Sequence, residues 1–319
     1  MLFAKSSRIT MVNRDRNIPF HKVVFTDIDG TLVDINTAEY GKETDKLIHL
    51  IKERNIPLVL TSAKTRLEQN KIREDLGLFD PFIVENGGAL VIPKGYFPDY
   101  ALRDIKYPVR ETQETKNGAK YVNHEIIVEL GKSADYIRAR LSDIRKKYNI
   151  NFTGVADISV EKLSNLALIS REQAQRMAQR NYGETILQIQ SEDIARFIKY
   201  VQEDGMKVIH GGRFFDVTIG TDKGIAVGIL KKLFKDKFHN NVTFFGIGDS
   251  ANDIPMLNHM DIPILVQRQD SSWVDDGEIE MKNVVVDSSR ISSNKLIKVD
   301  GIGPNGWENA IHKIILELN

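Results

Sequence analysis

The stretch Val23-Val24-Phe25-Thr26-Asp27-Ile28-Asp29-Gly30-Thr31 decides the fold. Three consecutive apolar residues suit a short buried strand, and the change to Asp, Gly and Thr marks where that strand gives way to a loop. Downstream, Leu47, Ile48, Leu50 and Ile51 share one side of a helix, and Pro57 precedes a second apolar strand, Leu58-Val59-Leu60, that closes on Thr61-Ser62. Thr65 to Leu76 predicts a helix with Gly77 at its stop position, and Phe82-Ile83-Val84 predicts a third strand. Strand, helix, strand, helix at these short spacings is the pattern of a parallel sheet covered on both faces.

After Asn86-Gly87-Gly88 the pattern becomes mixed. Strand-like Ala89 to Ile92 and Glu125 to Leu130 are followed by helical Ala134 to Tyr148 and Arg171 to Asn181, strand-like Thr185 to Ile189, helical Glu192 to Gln202, and strands at Lys207 to Ile209 and Phe214 to Ile219. The first pattern then resumes: a helix from Asp222 to Phe234, buried strands at Val242 to Ile247, Ile262 to Val266 and Val284 to Val286, and an amphipathic helix from Trp307 to Leu318. The expected fold is α/β: a Rossmann-like parallel-sheet core with an inserted α+β domain. Residues 1–20 are expected to be a flexible N-terminal extension, 21–90 and 221–319 the core, and 91–220 the insertion.

Composition removes several classes of function. The 319 residues contain 44 Lys+Arg against 44 Asp+Glu and no Cys, so thiol catalysis and thiolate metal sites are excluded. A balanced charge provides no field for nucleic acid or an anionic bilayer. No apolar run approaches the roughly 18 to 20 residues that span lipid, so a cytoplasmic protein without membrane or nucleic-acid partners is expected. The seven His are scattered, with no pair at zinc-ligand spacing on one element. Gly301-Ile302-Gly303-Pro304-Asn305-Gly306 matches a dinucleotide-binding string, but the 13 residues after it leave no room for a βαβ unit.

Ligands of open parallel sheets collect beyond the carboxyl ends of the strands. Four polar clusters fall there: Asp27-x-Asp29-Gly30-Thr31, Thr61-Ser62, Lys223 at a helix opening, and Gly248-Asp249-Ser250-x-Asn252-Asp253. Taken singly, each has a plain structural explanation: a turn, a helix cap, a solvated helix lysine, an Asp-rich helix start. Taken together, Asp27, Asp29, Asp249 and Asp253 at one edge repel one another and require a positive partner. All-oxygen donors without His or Cys suit Mg²⁺. A hard cation beside a nucleophilic carboxylate points to phosphoryl transfer, with Lys223 and Ser62 supplying an ammonium and a hydroxyl to the transferring group.

In order and spacing these motifs resemble those of the haloacid dehalogenase-like phosphohydrolase superfamily, and the insertion resembles the α/β cap of its Cof-like branch. The resemblance implies Asp27 as nucleophile, Asp29 as general acid and then base, Ser62 and Lys223 as phosphate holders, and Asp249 as a Mg²⁺ ligand, with Asp253 supporting the metal or Lys223. Finer strings are similar to those of the mannosyl-3-phosphoglycerate phosphatases: Thr61-Ser62-Ala63-Lys64-Thr65-Arg66, Pro81 to Gly88, Gly211-Gly212-Arg213-Phe214 and Gly303-Pro304-x-Gly306-Trp307. This implies hydrolysis of mannosyl-3-phosphoglycerate to mannosylglycerate, a compatible solute, and phosphate. Ala63, where Ser is expected, and Gly183-Glu184-Thr185, where Ser-Glu-Pro is usual, are departures; the second leaves the sugar open. Glucosyl-3-phosphoglycerate, sucrose or hexose phosphates, a phosphomutase, and a non-catalytic sugar-phosphate sensor are the alternatives. Arg213, beside Gly211 and Gly212, is the candidate for clamping a substrate carboxylate. Lys64, Asn86, Gly87 and Gly88 are further candidate substrate contacts, the last three equally suited to a hinge.

Overall fold

The computed structural model describes residues 20–114, 123–210, 213–274 and 296–317. The chain opens with β1 (His21–Thr26), α1 (Thr44–Glu53), β2 (Leu58–Leu60), α2 (Arg66–Leu76) and β3 (Phe82–Val84). Next come β4 (Ala89–Pro93), α3 (Asp99–Arg103), β5 (Val109–Glu114) and β6 (Asn123–Glu129). The inserted unit contains α4 (Ala134–Tyr148), β7 (Phe152–Gly154), α5 (Val160–Ala167), α6 (Arg171–Met177), β8 (Glu184–Ile189), α7 (Ile194–Glu203), β9 (Lys207–His210) and β10 (Phe215–Thr218). The return comprises α8 (Lys223–Lys237), β11 (Val242–Gly248), α9 (Ile254–Leu257), β12 (Ile262–Gln267), β13 (Ile297–Ile302) and α10 (Pro304–Leu316).

The central sheet has the order β13-β12-β11-β1-β2, with every pair parallel. Alternation within β1 divides its side chains between two apolar layers. Val24 joins Leu47, Ile51, Phe245, Ile264, Trp307 and Ile311 beneath α1 and α10. Val23 and Phe25 join Val59, Phe244, Leu230 and Phe234 beneath α8. Fully buried Trp307 also donates from Nε1 to Thr26 Oγ1 at 3.1 Å, which ties α10 to the end of β1. α2 begins with a reciprocal capping box between Thr65 and Glu68; as its sequence predicts, it stops at Gly77, which takes the left-handed conformation.

Several expectations are corrected. β3 touches the parallel sheet through a single bridge, Thr61 to Ile83; its ladder is antiparallel to β4, in a sheet ordered β3-β4-β6-β5. A three-residue apolar run does not encode its pairing direction, and the tight turn after it dictates the antiparallel partner. Ile92, Phe97, Ile126 and Val128, placed in the insertion by the sequence, share a core cluster with Val23, Phe25 and Phe234. We therefore propose that the core runs to residue 130 and resumes at 221, with the cap limited to about 132–219 rather than starting at 91. The cap has its own core, in which Ile137, Leu141, Phe197 and Val201 pack on a sheet ordered β7-β8-β10-β9.

The helix predicted to reach Asn181 stops at Met177. β13 was not foreseen, since Asp300 and Gly301 interrupt its apolar pattern. The N-terminal extension, except Phe20, and the strand expected at Val284 to Val286 lie outside the described residues. Among the described residues, no helix is long and apolar enough to cross a membrane.

Candidate active site

Strand register brings the polar clusters to one edge. Thr26 stands opposite Leu60 of β2 and Ile247 of β11. The next residues out, Asp27, Thr61-Ser62 and Gly248-Asp249, therefore leave the sheet side by side. The Asp27 N–H donates to the Ile247 carbonyl at 2.9 Å and the Thr61 N–H to the Thr26 carbonyl at 2.8 Å. Lys223 is the first residue of α8, whose N-cap Asp222 accepts the Ile225 N–H at 2.9 Å. That start aims the lysine at the carboxylates: Nζ lies 2.6 Å from Asp27 Oδ1 and 2.7 Å from Asp253 Oδ1.

The second oxygen of Asp253 accepts the N–H groups of Asp249 and Ser250, each at 3.1 Å, and so fixes the loop that presents Asp249. Thr31 Oγ1 donates to Asp249 Oδ1 at 2.9 Å from the opposite side. Gly30 is required here. Its φ is +83°, and a Cβ on it would stand 2.8 Å from Asp249 Oδ2.

Asp27, Lys223, Asp249 and Asp253 are all buried, so their charges interact with little screening. Burial opposes the Lys223 charge, but the carboxylates of Asp253 and Asp27 outweigh it and hold the ammonium above the ordinary lysine range. One cation cannot neutralise three acids. Burial, with Asp253 and Asp249 alongside, pushes Asp27 well above the ordinary carboxylate range despite Lys223. Burial and Asp253 push Asp249 up to about 7. A carboxylate oxygen from each of Asp27, Asp249 and Asp253 lies within 4.8 Å of the other two. Oxygen donors with surplus negative charge and no nitrogen or sulfur among them fit a hard divalent cation.

These shifts have a measurable consequence. The folded-state value for Asp249 is raised, so its ionisation costs nothing at about pH 3 and below, where it is largely protonated both folded and unfolded, and costs most above about pH 7. In EDTA, Asp249→Asn is expected to match the parent's urea midpoint near pH 3 and to exceed it increasingly up to about pH 7. Adding a divalent cation should reverse the order, because only the parent retains the full ligand set. Parallel curves at all pH values would show that Asp249 is not under this strain.

Beyond Asp29 a cavity of about 620 Å³ opens between core and cap, with Asp29, Lys64, Arg176, Arg180, Arg213 and Asp216 on its wall. This is within the usual range for a small-molecule site.

Residues 24–272 match the haloacid dehalogenase-like hydrolase family. The chain belongs to that family. It is 35% identical over 302 residues to a glucosyl-3-phosphoglycerate/mannosyl-3-phosphoglycerate phosphatase of Methanococcoides burtonii, covering 93% of this chain and 98% of the relative. A protein of the same name from Persephonella marina is 32% identical over 298 residues, with the same two coverages, 93% and 98%. A phosphatase of the haloalkanoate superfamily from Bacteroides thetaiotaomicron superposes with a TM-score of 0.54 at 16% identity, covering 96% of this chain and 98% of that one; it shows the fold alone. As a member of these haloacid dehalogenase-like hydrolases, with phosphatases as relatives over nearly its whole length, the chain is a phosphoric monoester hydrolase.

The family's motif residues, as read from the sequence, are not all placed alike. Asp29, expected among the metal-binding carboxylates, lies outside the Asp27, Asp249 and Asp253 group: its Oδ1 pairs with Lys64 Nζ at 2.9 Å, and a third of its side chain is exposed to the cavity. Ser62 is buried, and its Oγ accepts the Lys64 N–H at 3.2 Å. Arg213 does reach the cavity, with Nη1 donating to the Ala167 carbonyl at 2.7 Å. Gly211 and Gly212 lie outside the described residues.

Asn86, Gly87 and Gly88 are taken up by packing at the crossing into the cap rather than by the cavity wall. Asn86 Nδ2 donates to Asp216 at 3.1 Å. A Cβ on Gly87, at φ +93°, would fall 2.1 Å from the Asp222 carbonyl oxygen, and one on Gly88 would fall 2.4 Å from Tyr182 Cβ. Sequence reasoning missed the Thr31 hydroxyl, the buried Glu85 and Arg180, and the half-buried Asp216. Thr31 and Glu85 were inside strings already marked; Arg180 and Asp216 carry no local signal.

Proposed function

We propose that this hydrolase is a Mg²⁺-dependent phosphatase that converts mannosyl-3-phosphoglycerate to mannosylglycerate and phosphate through an aspartyl-phosphate on Asp27. The observation that carries the reading is the convergence of Asp27, Lys223, Asp249 and Asp253 at the strand ends, beside a cavity with room for a glycosyl glycerate. The glucosyl ester is a second substrate, favoured by the paired names of the two relatives.

In this mechanism Asp27 attacks phosphorus and the ester P–O bond breaks. Asp29, the acid exposed to the cavity, gives its proton to the departing alkoxide. It then takes a proton from the water that attacks the aspartyl-phosphate, which releases phosphate and restores Asp27. Lys223 and Ser62 hold phosphoryl oxygens, and Asp253 orients Lys223. Asp27, Asp249 and, in support, Asp253 would hold Mg²⁺, which supplies charge neutralisation for the phosphoryl group.

Arg213 has donors left after its bond to Ala167, and it is suited to the glycerate carboxylate. A charged hydrogen bond is worth roughly 1.5–3 kcal/mol, so Arg213→Ala is expected to raise KM for the glycerate esters about tenfold or more and to leave simple hexose phosphates unchanged. Equal effects on both classes would remove Arg213 from this role. The direct test of the function is phosphate release from the mannosyl and glucosyl esters side by side, with Mg²⁺ and with EDTA. Turnover of hexose phosphates with neither glycerate ester cleaved would overturn the substrate assignment. Tight binding without release under any divalent ion would overturn catalysis.

A further inference from the structure

Three consecutive carbonyls define the turn that carries Ser62 and Lys64. Two are bonded from within the core: that of Ser62 accepts the Asn86 N–H at 3.0 Å, and that of Lys64 accepts the Glu85 N–H at 3.0 Å. The one between them, Ala63, accepts from the cap, where Arg180 Nη2 lies 3.0 Å away. The Arg180 side chain is only 5% exposed. Its Nη1 stands 4.0 Å from Glu85 Oε2 and its Nη2 3.5 Å from Asp216 Oδ1, while Nε is buried without a hydrogen-bond partner.

The surrounding chain is clasped to the same place. Glu85 accepts the N–H groups of Asn181 and Tyr182 at 2.9 and 2.8 Å. Thr65, at the far end of the turn, donates from Oγ1 to the Arg176 carbonyl at 2.9 Å. Arg180 also forms part of the cavity wall with Asp29 and Lys64.

As a purely stabilising device this arrangement is poor. Buried ion pairs roughly break even against desolvation, contacts at 3.5 and 4.0 Å are loose, and an unsatisfied buried N–H is a cost rather than a gain. What the side chain does well is reach across the domain boundary to one carbonyl of the turn.

We infer that Arg180 is a positioning residue for phosphoryl transfer: by holding the Ala63 carbonyl it sets the turn that carries Ser62 and Lys64, so that cap docking and placement of the phosphate-holding Ser62 are one event. A planar guanidinium can serve Ala63, Asp216 and Glu85 together; an ammonium is a point charge with a different reach. The inference rests on the reading of Ser62 as a phosphate contact and of Lys64 as a substrate contact.

Arg180→Gln and Arg180→Lys, made in the full chain, test it, with Ser62→Ala as the control for the underlying reading. Each is assayed on a small aryl phosphate that fills only the phosphate end of the cavity and on a glycosyl-3-phosphoglycerate. A misplaced turn should lower kcat on both substrates roughly tenfold to a hundredfold, with KM for the aryl phosphate nearly unchanged and with Arg180→Lys recovering part of the loss. Should Arg180→Gln fail to fold, Arg180→Lys alone carries the comparison. A rise in KM confined to the glycosyl ester would make Arg180 a substrate contact and overturn the inference. So would a lower melting temperature with kcat intact. A slow Ser62→Ala beside fully active Arg180 variants sinks the inference alone; full rate in Ser62→Ala sinks the phosphate-contact reading and the inference with it.

Discussion

Asp27→Asn is expected to lose phosphate release by on the order of 10⁴-fold or more, the scale seen when a covalent nucleophile or its partner is removed. The carboxamide has nearly the same shape, and its oxygen still accepts from Lys223 Nζ, now 2.6 Å from Asp27 Oδ1, but it cannot accept the phosphoryl group as a productive acyl phosphate. Folding should survive. The replacement removes a buried carboxylate whose ionisation its own neighbours oppose, so the thermal midpoint of the metal-free protein is expected to hold or rise at neutral pH. Rapid acid quench should trap a labile phosphoryl adduct on the parent and none on the variant. A variant that retains a tenth of the parental kcat would remove Asp27 from the nucleophile's role, whatever its fold.

Lys223→Met should be the most destabilising single change at the site. It keeps the length and apolar stem of the side chain but deletes the ammonium that touches both Asp27 and Asp253. Breaking a buried ion pair from one side leaves uncompensated charge, at a cost of about 3–5 kcal/mol. The sign of the pH dependence follows from the carboxylates left behind. Without Lys223 the folded-state value of Asp27 rises further, so that carboxyl is neutral and costs little at low pH, and the penalty grows as pH increases through its folded value. Urea unfolding in EDTA should therefore show parent and variant closest near pH 3 and progressively further apart as pH rises. Activity is expected to fall as well, since the cation facing the transferring group is gone. A constant difference across that range would mean the loss is one of packing rather than of charge.

The two experiments separate chemistry from architecture at one locus. Asp27→Asn removes reactivity and spares stability; Lys223→Met removes the charge balance on which both depend. A divalent cation should narrow the stability gap between parent and Lys223→Met, because it offsets the same surplus of negative charge.

β1, β2 and β11 and three side chains at their ends were legible from local pattern. Val23 to Thr31, Leu58 to Ser62 and Val242 to Asp249 each join an apolar run to polar turn residues, and that junction alone places Asp27, Ser62 and Asp249 at strand ends. Gly77 and Thr65 bounded α2 because capping chemistry acts within one turn of helix. The periodicity of an apolar strand or helix depends only on near neighbours, so it survives being read without coordinates.

What the sequence could not supply was pairing between distant residues. Asp29 turned from the carboxylate cluster to Lys64, β3 ran antiparallel to β4, and Ile92, Phe97, Ile126 and Val128 packed with Val23 and Phe25, because strand register and face-to-face packing choose among partners that look equivalent along the chain. Arg180 meets Ala63 across 117 positions, and it does so only because the cap docks where it does. Local physics set which elements form and where their reactive ends lie; tertiary packing decided which charges meet, since a Coulomb or hydrogen-bond energy depends on a distance in space that the order of residues does not contain.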